Sequence, residues 1–370
     1  MPENVSLRVI AEHIGLSKPT VQRVLGGEAH LFREETVQRV LAAARELGYR
    51  KPGAAQRSPV LDEAVAVVCV PALAGDIRRR VLGSPHFITY GALHALQEAG
   101  FNGLMVRPDG LADELPDHVV QMRPKGVVLP CFAGFGGVSP TRRIERIKEA
   151  GIPLVVFGDY AEFNDFDRVT PDHEGGSYEL MRWVIAQGRR RIAHFWPAPA
   201  GQYWFAARRR GYERALREAG LEPLPDILYE AADVGPSDQR EGFVRQARLL
   251  GGYLLEHLRG PQPVDALLVA HDGDAPKLAH ALRLAGLTPN ADVMVLGYDY
   301  AITGTAEPQF EPTVPAATVD KGNWEMGVEM VRLLLERIEG ALPPGPQIRF
   351  VRSKLVLGPE IELALRAGHA

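Results

Sequence analysis

The stretch LRVIAEHIGLSKPTVQRVL, residues 7–25, decides how the amino end of this chain is read. With Leu7 as the first position, the small Ala11 is fifth, Gly15 ninth and Val21 fifteenth, while Ile10, Ile14, Leu16 and Val24 fill the other apolar slots. The spacing predicts two short helices joined by a tight turn, a helix-turn-helix. Ala11 lets the helices approach, and Gly15 suits the left-handed residue that ends the first one. Ser17 reads as the N-cap of the second helix, and Pro19 falls in its first turn, where a missing N–H costs nothing. Lys18, Thr20, Gln22 and Arg23 are left facing outward. A helix with such side chains near its amino end suits the DNA major groove, whereas an ordinary helical hairpin would only wet the same face. Ser17, Lys18, Pro19, Thr20, Gln22 and Arg23 are the candidate DNA-binding residues.

Charge agrees with that reading. Residues 1–60 carry nine Lys/Arg against six Glu, a net +3, and the remainder carries −7 within an overall −4. A basic head on an acidic body fits a nucleic-acid-binding head. The chain has 370 residues, 46% of them hydrophobic, which is enough for two or three domains. The opening MPENVSLRVIAEH lacks a basic, apolar leader pattern, and no apolar run approaches the roughly 18 residues of a membrane span, so a cytoplasmic protein is expected. Cys69 and Cys131 sit in strand-like runs and read as buried free thiols rather than a disulfide or metal pair.

After the second helix, Gly26 and Gly27 punctuate the chain. Residues 33–47 then read as a third amphipathic helix closed by Gly48, completing a head over 1–50. The proline-, glycine- and charge-rich 51–63 reads as a linker or hinge. From 64 the pattern changes to apolar runs alternating with helical stretches: AVAVVCV (64–70), a helix near 86–99, GLMVR (103–107), a helix near 113–122, GVVLPC (126–131), a helix at 141–150 and PLVVFGD (153–159). The alternation resumes with a helix at 177–188, RIAHFW (191–196), helices at 205–219 and 238–258 with a strand near 226–230 between them, DALLVAH (265–271), a helix at 275–285 and DVMVLGYD (292–299). A helix at 323–340 and one strand, QIRFVRSKLVL (347–357), close the chain. Unbroken apolar strands alternating with helices imply parallel sheets covered on both faces, and two such units in one chain usually frame a cleft. The expected fold is α/β, a two-lobed body over 64–370 behind a small all-α head. Lobe 1 is assigned to about 64–161 plus 305–340, and lobe 2 to about 162–304 plus 341–370.

Together these motifs resemble the lactose-repressor (LacI/GalR) family of bacterial transcription regulators, across nearly the whole chain. VIAEHIGLSKPTVQRVLGG and EETVQRVLAAARELGY are similar to the family's head. Ile152-Pro153 before VVFGD, Arg208-x-x-Gly211-Tyr212, Val269-Ala270-His271-Asp272, Gly297-Tyr298-Asp299 and Thr318-Val319 follow in the family's order. The resemblance implies a periplasmic-binding-protein-like body, a homodimer binding a near-palindromic operator, and lobes that close on a small effector, most simply a sugar or sugar derivative. It also implies effector contacts from Phe87, Asp159, Arg208, His271 and Asp299, with Trp204 one helical turn before Arg208. In the hinge the family's Asn and apolar minor-groove wedge are replaced by Pro52 and Ser58 about a retained Ala55. Because a hydroxymethyl group cannot unstack a base step, a weakened hinge helix is expected, with Leu61 the nearest alternative wedge.

The residues themselves support part of that set. Asp159, His271 and Asp299 end or follow strands, where α/β folds bind ligands. Arg208 offers a rigid fork of donors suited to vicinal hydroxyls or a carboxylate, and Trp204 a stacking face. The glycine-rich FAGFGGVSP (132–140) matches neither dinucleotide nor Walker spacing and reads as a cleft loop. No metal-binding or nucleophile-elbow spacing occurs, so no cofactor, metal or catalytic residue is expected. Carboxylate pairs of the glycosidase kind need only proximity in space. A sugar-binding or sugar-processing protein whose head makes protein contacts therefore stands as the alternative.

Overall fold

The computed structural model describes residues 6–25, 31–47, 49, 64–68, 84–106, 115–130, 140–198, 202–230, 238–301 and 306–368. Gly26, Gly27, Gly48, the linker 50–63 with Pro52, Ala55, Ser58 and Leu61, Cys69, Cys131 and the glycine-rich 131–139 lie outside them. The chain divides into two compact units, Met1–Asp62 and Glu63–Ala370.

The first unit holds α1 (Leu7–Ile14), α2 (Lys18–Arg23) and α3 (Glu34–Glu46). Ile10, Ala11, Val21, Val24, Val37, Val40, Ala43 and Ala44 form its core, with Leu7, Ile14 and Leu16 packed half-buried against it. At about 1.5–3 kcal/mol for each fully buried large aliphatic side chain, so small a core leaves little margin over chain entropy.

The second unit is two six-stranded sheets. In lobe 1 these are β1 (Ala64–Val68), β2 (Asn102–Val106), β3 (Gly126–Leu129), β4 (Leu154–Phe157), β5 (Asp167–Pro171) and β11 (Ile348–Val351). They lie side by side in the order β11-β5-β4-β3-β1-β2, all parallel. In lobe 2 the strands β6 (Ile192–Ala198), β7 (Ile227–Glu230), β8 (Ala266–Val269), β9 (Met294–Leu296), β10 (Ala317–Asp320) and β12 (Lys354–Leu357) run in the order β12-β10-β9-β8-β6-β7. Only the β10–β12 pair is antiparallel. The helices are α4 (Ser84–Glu98), α5 (Leu115–Met122), α6 (Pro140–Glu149), α7 (His173–Ala186), α8 (Tyr203–Glu218), α9 (Arg240–Arg259), α10 (Ala275–Leu284), α11 (Asn323–Ile338) and α12 (Gly358–Gly368). Successive strand residues serve opposite cores: Val65 and Val67 pack with Ile88 and Met330, while Ala66 packs with Val119 and Ile144. That explains why the strands read as unbroken apolar runs.

The chain crosses between lobes three times, after β5, after β10 and between β11 and β12, and this moves the expected lobe boundaries. Residues 167–171 belong to lobe 1 and 317–320 to lobe 2, and the run 347–357, expected as one strand, is two. Its first half pairs with β5 and its second with β10, so each half satisfies a different sheet edge. The helix expected from 177 begins at His173, because Asp172 caps it by accepting from the Gly175 N–H at 2.8 Å.

Close helix packing fixes lobe 1. A Cβ at Gly91 would stand 2.2 Å from the Trp324 carbonyl oxygen, and one at Gly327 2.0 Å from that of Ile88. Backbone cannot yield as a side-chain tip does. Gly327→Ala should therefore cost roughly 1–3 kcal/mol through forced separation of α4 and α11. Gly252, exposed in α9 with open space around its Cβ position, should gain about 0.5–1 kcal/mol as Ala. Urea denaturation of the two variants checks the pair, and a gain from both would refute the packing account.

Candidate functional site

In the head, Gly15 ends α1 at φ 64° and its N–H donates to the Ala11 carbonyl. Ser17 Oγ accepts from the Thr20 N–H at 3.2 Å and lies 2.8 Å from the Thr20 hydroxyl. With Val21 and Val24 buried, Ser17, Lys18, Pro19, Gln22 and Arg23 are exposed and Thr20 half-exposed. The six expected residues thus share one outward face, and the Arg23 guanidinium lies 5.5 Å from the Phe32 ring centroid. The Arg39 guanidinium donates to the Ile14 carbonyl at 2.7 Å, tying α3 to the end of α1.

In the second unit the ends of β8, β9 and β10 bring a buried ionic cluster together. Asp299 Oδ1 accepts from Lys321 Nζ at 3.0 Å and from Arg208 at 3.3 Å, and Asp299 Oδ2 lies 3.9 Å from His271 Nε2. Arg208 also donates to the Ala270 carbonyl at 2.7 Å. Its guanidinium carbon stands 3.4 Å from the Tyr298 ring centroid and 4.2 Å from that of Trp204. Burial alone would raise the Asp299 carboxyl, but the Lys321 and Arg208 charges outweigh it and hold the group well below the usual carboxylate range. Burial, reinforced by the same two cations, keeps His173 well below its ordinary value and hence neutral. The backbone is left-handed at both Asp299 (φ 92°) and Tyr300 (φ 50°), conformations that non-glycine residues hold only under firm tertiary support. Part of that support is the Asp299 N–H, which donates to the Val319 carbonyl at 2.8 Å.

Beside the cluster, Asp272 pins three strand ends. Its N–H donates to the Tyr298 carbonyl, Oδ1 accepts from the Thr318 hydroxyl at 2.7 Å, and Oδ2 accepts from the Ala301 N–H at 2.9 Å. A Cβ on Gly297 would meet Asp272 Oδ1 at 1.8 Å, so that position requires glycine. From Tyr298 a chain of rings leads to lobe 1: His173 at 5.8 Å, Tyr203 at 5.7 Å from His173, and Tyr160 at 4.6 Å from Tyr203. The Tyr160 hydroxyl donates to Gln202 Oε1 at 3.1 Å across the lobes. A cavity of about 340 Å³ beside this chain is lined by Asp159, Thr170, His173, Tyr203, Arg210 and Phe350 among others.

Of the expected effector residues, Arg208, His271 and Asp299 meet directly, and Trp204 stacks on Arg208. Trp204 also stacks on Phe205 at 4.0 Å and 18°, so both its ring faces are engaged by protein. Asp159 sits on the lobe 1 side and accepts from Arg168 at 2.9 Å. Phe87, half-buried in the first turn of α4, has no described contact with the cluster. Lys321, Tyr298, His173 and Tyr203 were not expected. Among the described residues no group of side chains could hold a metal ion, and no helix is long and apolar enough to cross a membrane.

The domain family described as periplasmic binding proteins and sugar binding domain of the LacI family matches residues 84–242, and a periplasmic binding protein-like domain matches 182–358. The HTH-type transcriptional regulator AglR of Rhizobium meliloti is 28% identical over 95% of this chain and 93% of its own length. The HTH-type transcriptional regulator GntR of Pseudomonas aeruginosa is 30% identical over 80% of this chain and 79% of its own length. This chain belongs to the LacI family of HTH-type transcriptional regulators. Among solved structures, the transcriptional regulator CelR in complex with cellobiose superposes with a TM-score of 0.60 at 25% identity, covering 96% of this chain and 99% of that one. The Lac repressor bound to ONPG shares the fold, with a TM-score of 0.55 at 22% identity, covering 96% of this chain and 98% of that one.

In this LacI-family body the Asp272 carboxyl is the group whose titration should register in stability. Burial pushes it from 3.8 up to about 7, against the Thr318 hydrogen bond, the His271 charge and the Ala301 N–H, and with help from Asp299. Between about pH 4 and 7 the folded state therefore holds a proton that the unfolded chain has released, and stability falls as pH rises through that window. Asp272→Asn should flatten the fall. Urea midpoints at pH 4.5 and 7.5, followed by the fluorescence of Trp183, Trp196 and Trp204 in lobe 2, check this, and equal pH slopes in both proteins would refute it.

Proposed function

We propose that this chain is a repressor whose α2 face reads an operator and whose grip is altered by a small effector, a sugar or sugar derivative, held between the two lobes. The observation that carries the reading is the pairing, in one chain, of a helix-turn-helix with an outward Lys18-Pro19-Thr20-Gln22-Arg23 face and a two-lobed body whose strand ends gather Arg208, His271 and Asp299. Ser17 orients α2 as its cap, Lys18 and Arg23 supply positive charge, and Pro19 offers apolar contact, for example to a thymine methyl. The cellobiose complex of CelR supports a carbohydrate-like effector. The chain acts in the cytoplasm without catalysing a reaction, in keeping with relatives named as regulators rather than enzymes.

The protein works as a homodimer joined through its body. A single head of three short helices makes few contacts, whereas two heads on one duplex multiply their effects, and a near-palindromic site follows. Selection of duplexes from a random pool, with sedimentation of the complex, tests the reading: enrichment of a near-palindrome bound by two chains is expected, with affinity falling steeply with salt. Failure to enrich any sequence would overturn it. Arg23→Ala should cost roughly 1–3 kcal/mol on the selected site and little on random DNA. Equal losses on both, read by fluorescence anisotropy, would reduce Arg23 to a phosphate contact.

A further inference from the structure

The backbone that presents Asp299 is left-handed there, at φ 92°, and again at Tyr300, at φ 50°. Aspartate visits that region with some ease, because its short polar side chain bonds locally, but a bulky aromatic residue does not. Two such residues in succession need tertiary contacts to hold them. Hydrogen bonds grip the residues on either side of Tyr300. The Asp299 N–H donates to the Val319 carbonyl at 2.8 Å, and the Ala301 N–H to Asp272 Oδ2 at 2.9 Å. Tyr300 itself is gripped through its ring, which packs half-buried, together with Leu365, against a small core of Val314, Val356 and Ile361.

Ile361 and Leu365 are one turn apart on α12, and among the described residues they enter none of the larger cores of the two lobes. The helix follows β12 without a loop, and its start is fixed. The Gly358 N–H donates to the Ala316 carbonyl at 2.9 Å, and a Cβ on Gly358 would stand 3.2 Å from the Pro315 carbonyl oxygen. Pro359 falls in the first turn, where its missing N–H costs nothing, and Glu360 Oε1 accepts from the Leu357 N–H at 3.3 Å. Ile361 is fully buried, while Glu362, Leu363 and Arg366 face solvent. Burial first, and then the carboxylates of Asp320 and Glu360, push the Tyr300 hydroxyl up, as expected of a ring lying between the end of β10 and α12.

We propose that α12 is a strap and that Ile361, Leu365 and Tyr300 are positioning residues for Asp299: the hold of the helix on the Tyr300 ring keeps the corner left-handed and the Asp299 carboxylate on Arg208 and Lys321. Released from the strap, Tyr300 relaxes toward negative φ, and the preceding carboxylate turns away from its two cations. That this matters to an effector rests on the reading of the cleft above; the positioning itself does not.

The test is hydrogen exchange, read by mass spectrometry on the full chain without operator or effector and taken relative to intrinsic rates. In Ile361→Ala, exchange over 298–301, where the Asp299 and Ala301 amides are bonded, should rise about tenfold while β6 and β8 keep their rates. Leu365→Ala should act in the same direction, and it serves alone if Ile361→Ala does not fold. Variants at Tyr300 then separate positioning from packing. Tyr300→Ala loses the ring and keeps the strain, whereas Tyr300→Gly loses both, so Tyr300→Gly should protect 298–301 better than Tyr300→Ala does. In the Tyr300→Gly background, either α12 substitution should leave that exchange unchanged. Four outcomes would each overturn the proposal: no rise in the α12 variants, a rise shared by β6 and β8, equal exchange in the two Tyr300 variants, or an undiminished α12 effect in the Tyr300→Gly background. Operator binding, measured separately on the same samples, tests the regulator reading, and its failure leaves the exchange result standing.

Discussion

Two cations meet on one carboxylate oxygen. Asp299 Oδ1 receives both Arg208 from α8 and Lys321 from the β10–α11 crossover, and it does so at the end of β9 on a left-handed backbone. Everything around the cleft is arranged about that meeting. The guanidinium lies against Tyr298 and Trp204, whose negative ring faces suit a desolvated cation. Tyr298 in turn lies beside His173 at the start of α7, held neutral there by burial and by the same two cations. Asp272 holds the ends of β9 and β10 in register with β8, which lets residues far apart in sequence converge on a single carboxylate.

Local pattern carried the head almost entirely. Its eight marked apolar or small positions differ from their neighbours by size or polarity alone, and helical spacing brings the apolar ones to one side while Gly15 makes the turn. Most sheet strands were equally legible, because a strand buried on both faces has to be apolar throughout. β5 was not. DRVTP begins with an aspartate and ends with a proline, and its burial is tolerable because Arg337 donates twice to Asp167, at 2.7 and 2.8 Å, from 170 residues away, and the Gln347 N–H once, at 2.8 Å. The division of 347–357 between two sheets was hidden for a related reason. Ser353, where the strand breaks, is buried, so neither a glycine nor an exposed polar cluster marks the crossover.

The site was legible in part, and the limit is physical. Asp299, His271 and Arg208 could be placed because strand ends and helix faces place them. What they do depends on partners that spacing does not reveal. Asp299 reads as an acceptor for ligand hydroxyls until Lys321 is seen beside it, and then it is a counter-ion. Trp204 reads as a free stacking platform until Arg208 and Phe205 are found on its faces. Lys321 itself lay beyond a four-residue strand, ATVD, too short and too polar for alternation to announce it.

A ligand changes the relation between two lobes only as far as it binds one arrangement better than another. The crossovers are where such a preference has leverage, and here they touch one another. The Asp172 N–H after β5 donates to the Val351 carbonyl that ends β11, at 2.8 Å. Gly322, left-handed at φ 68°, leaves only 3.0 Å between its Cβ position and the Val351 side chain. Gly176 in α7 packs as closely on Ser353 and Val319. The three segments joining the lobes are therefore one packed unit with little room to move singly. Lys321, one residue from Gly322, belongs to that unit, so its ion pair with Asp299 ties the end of β9 to all three connections.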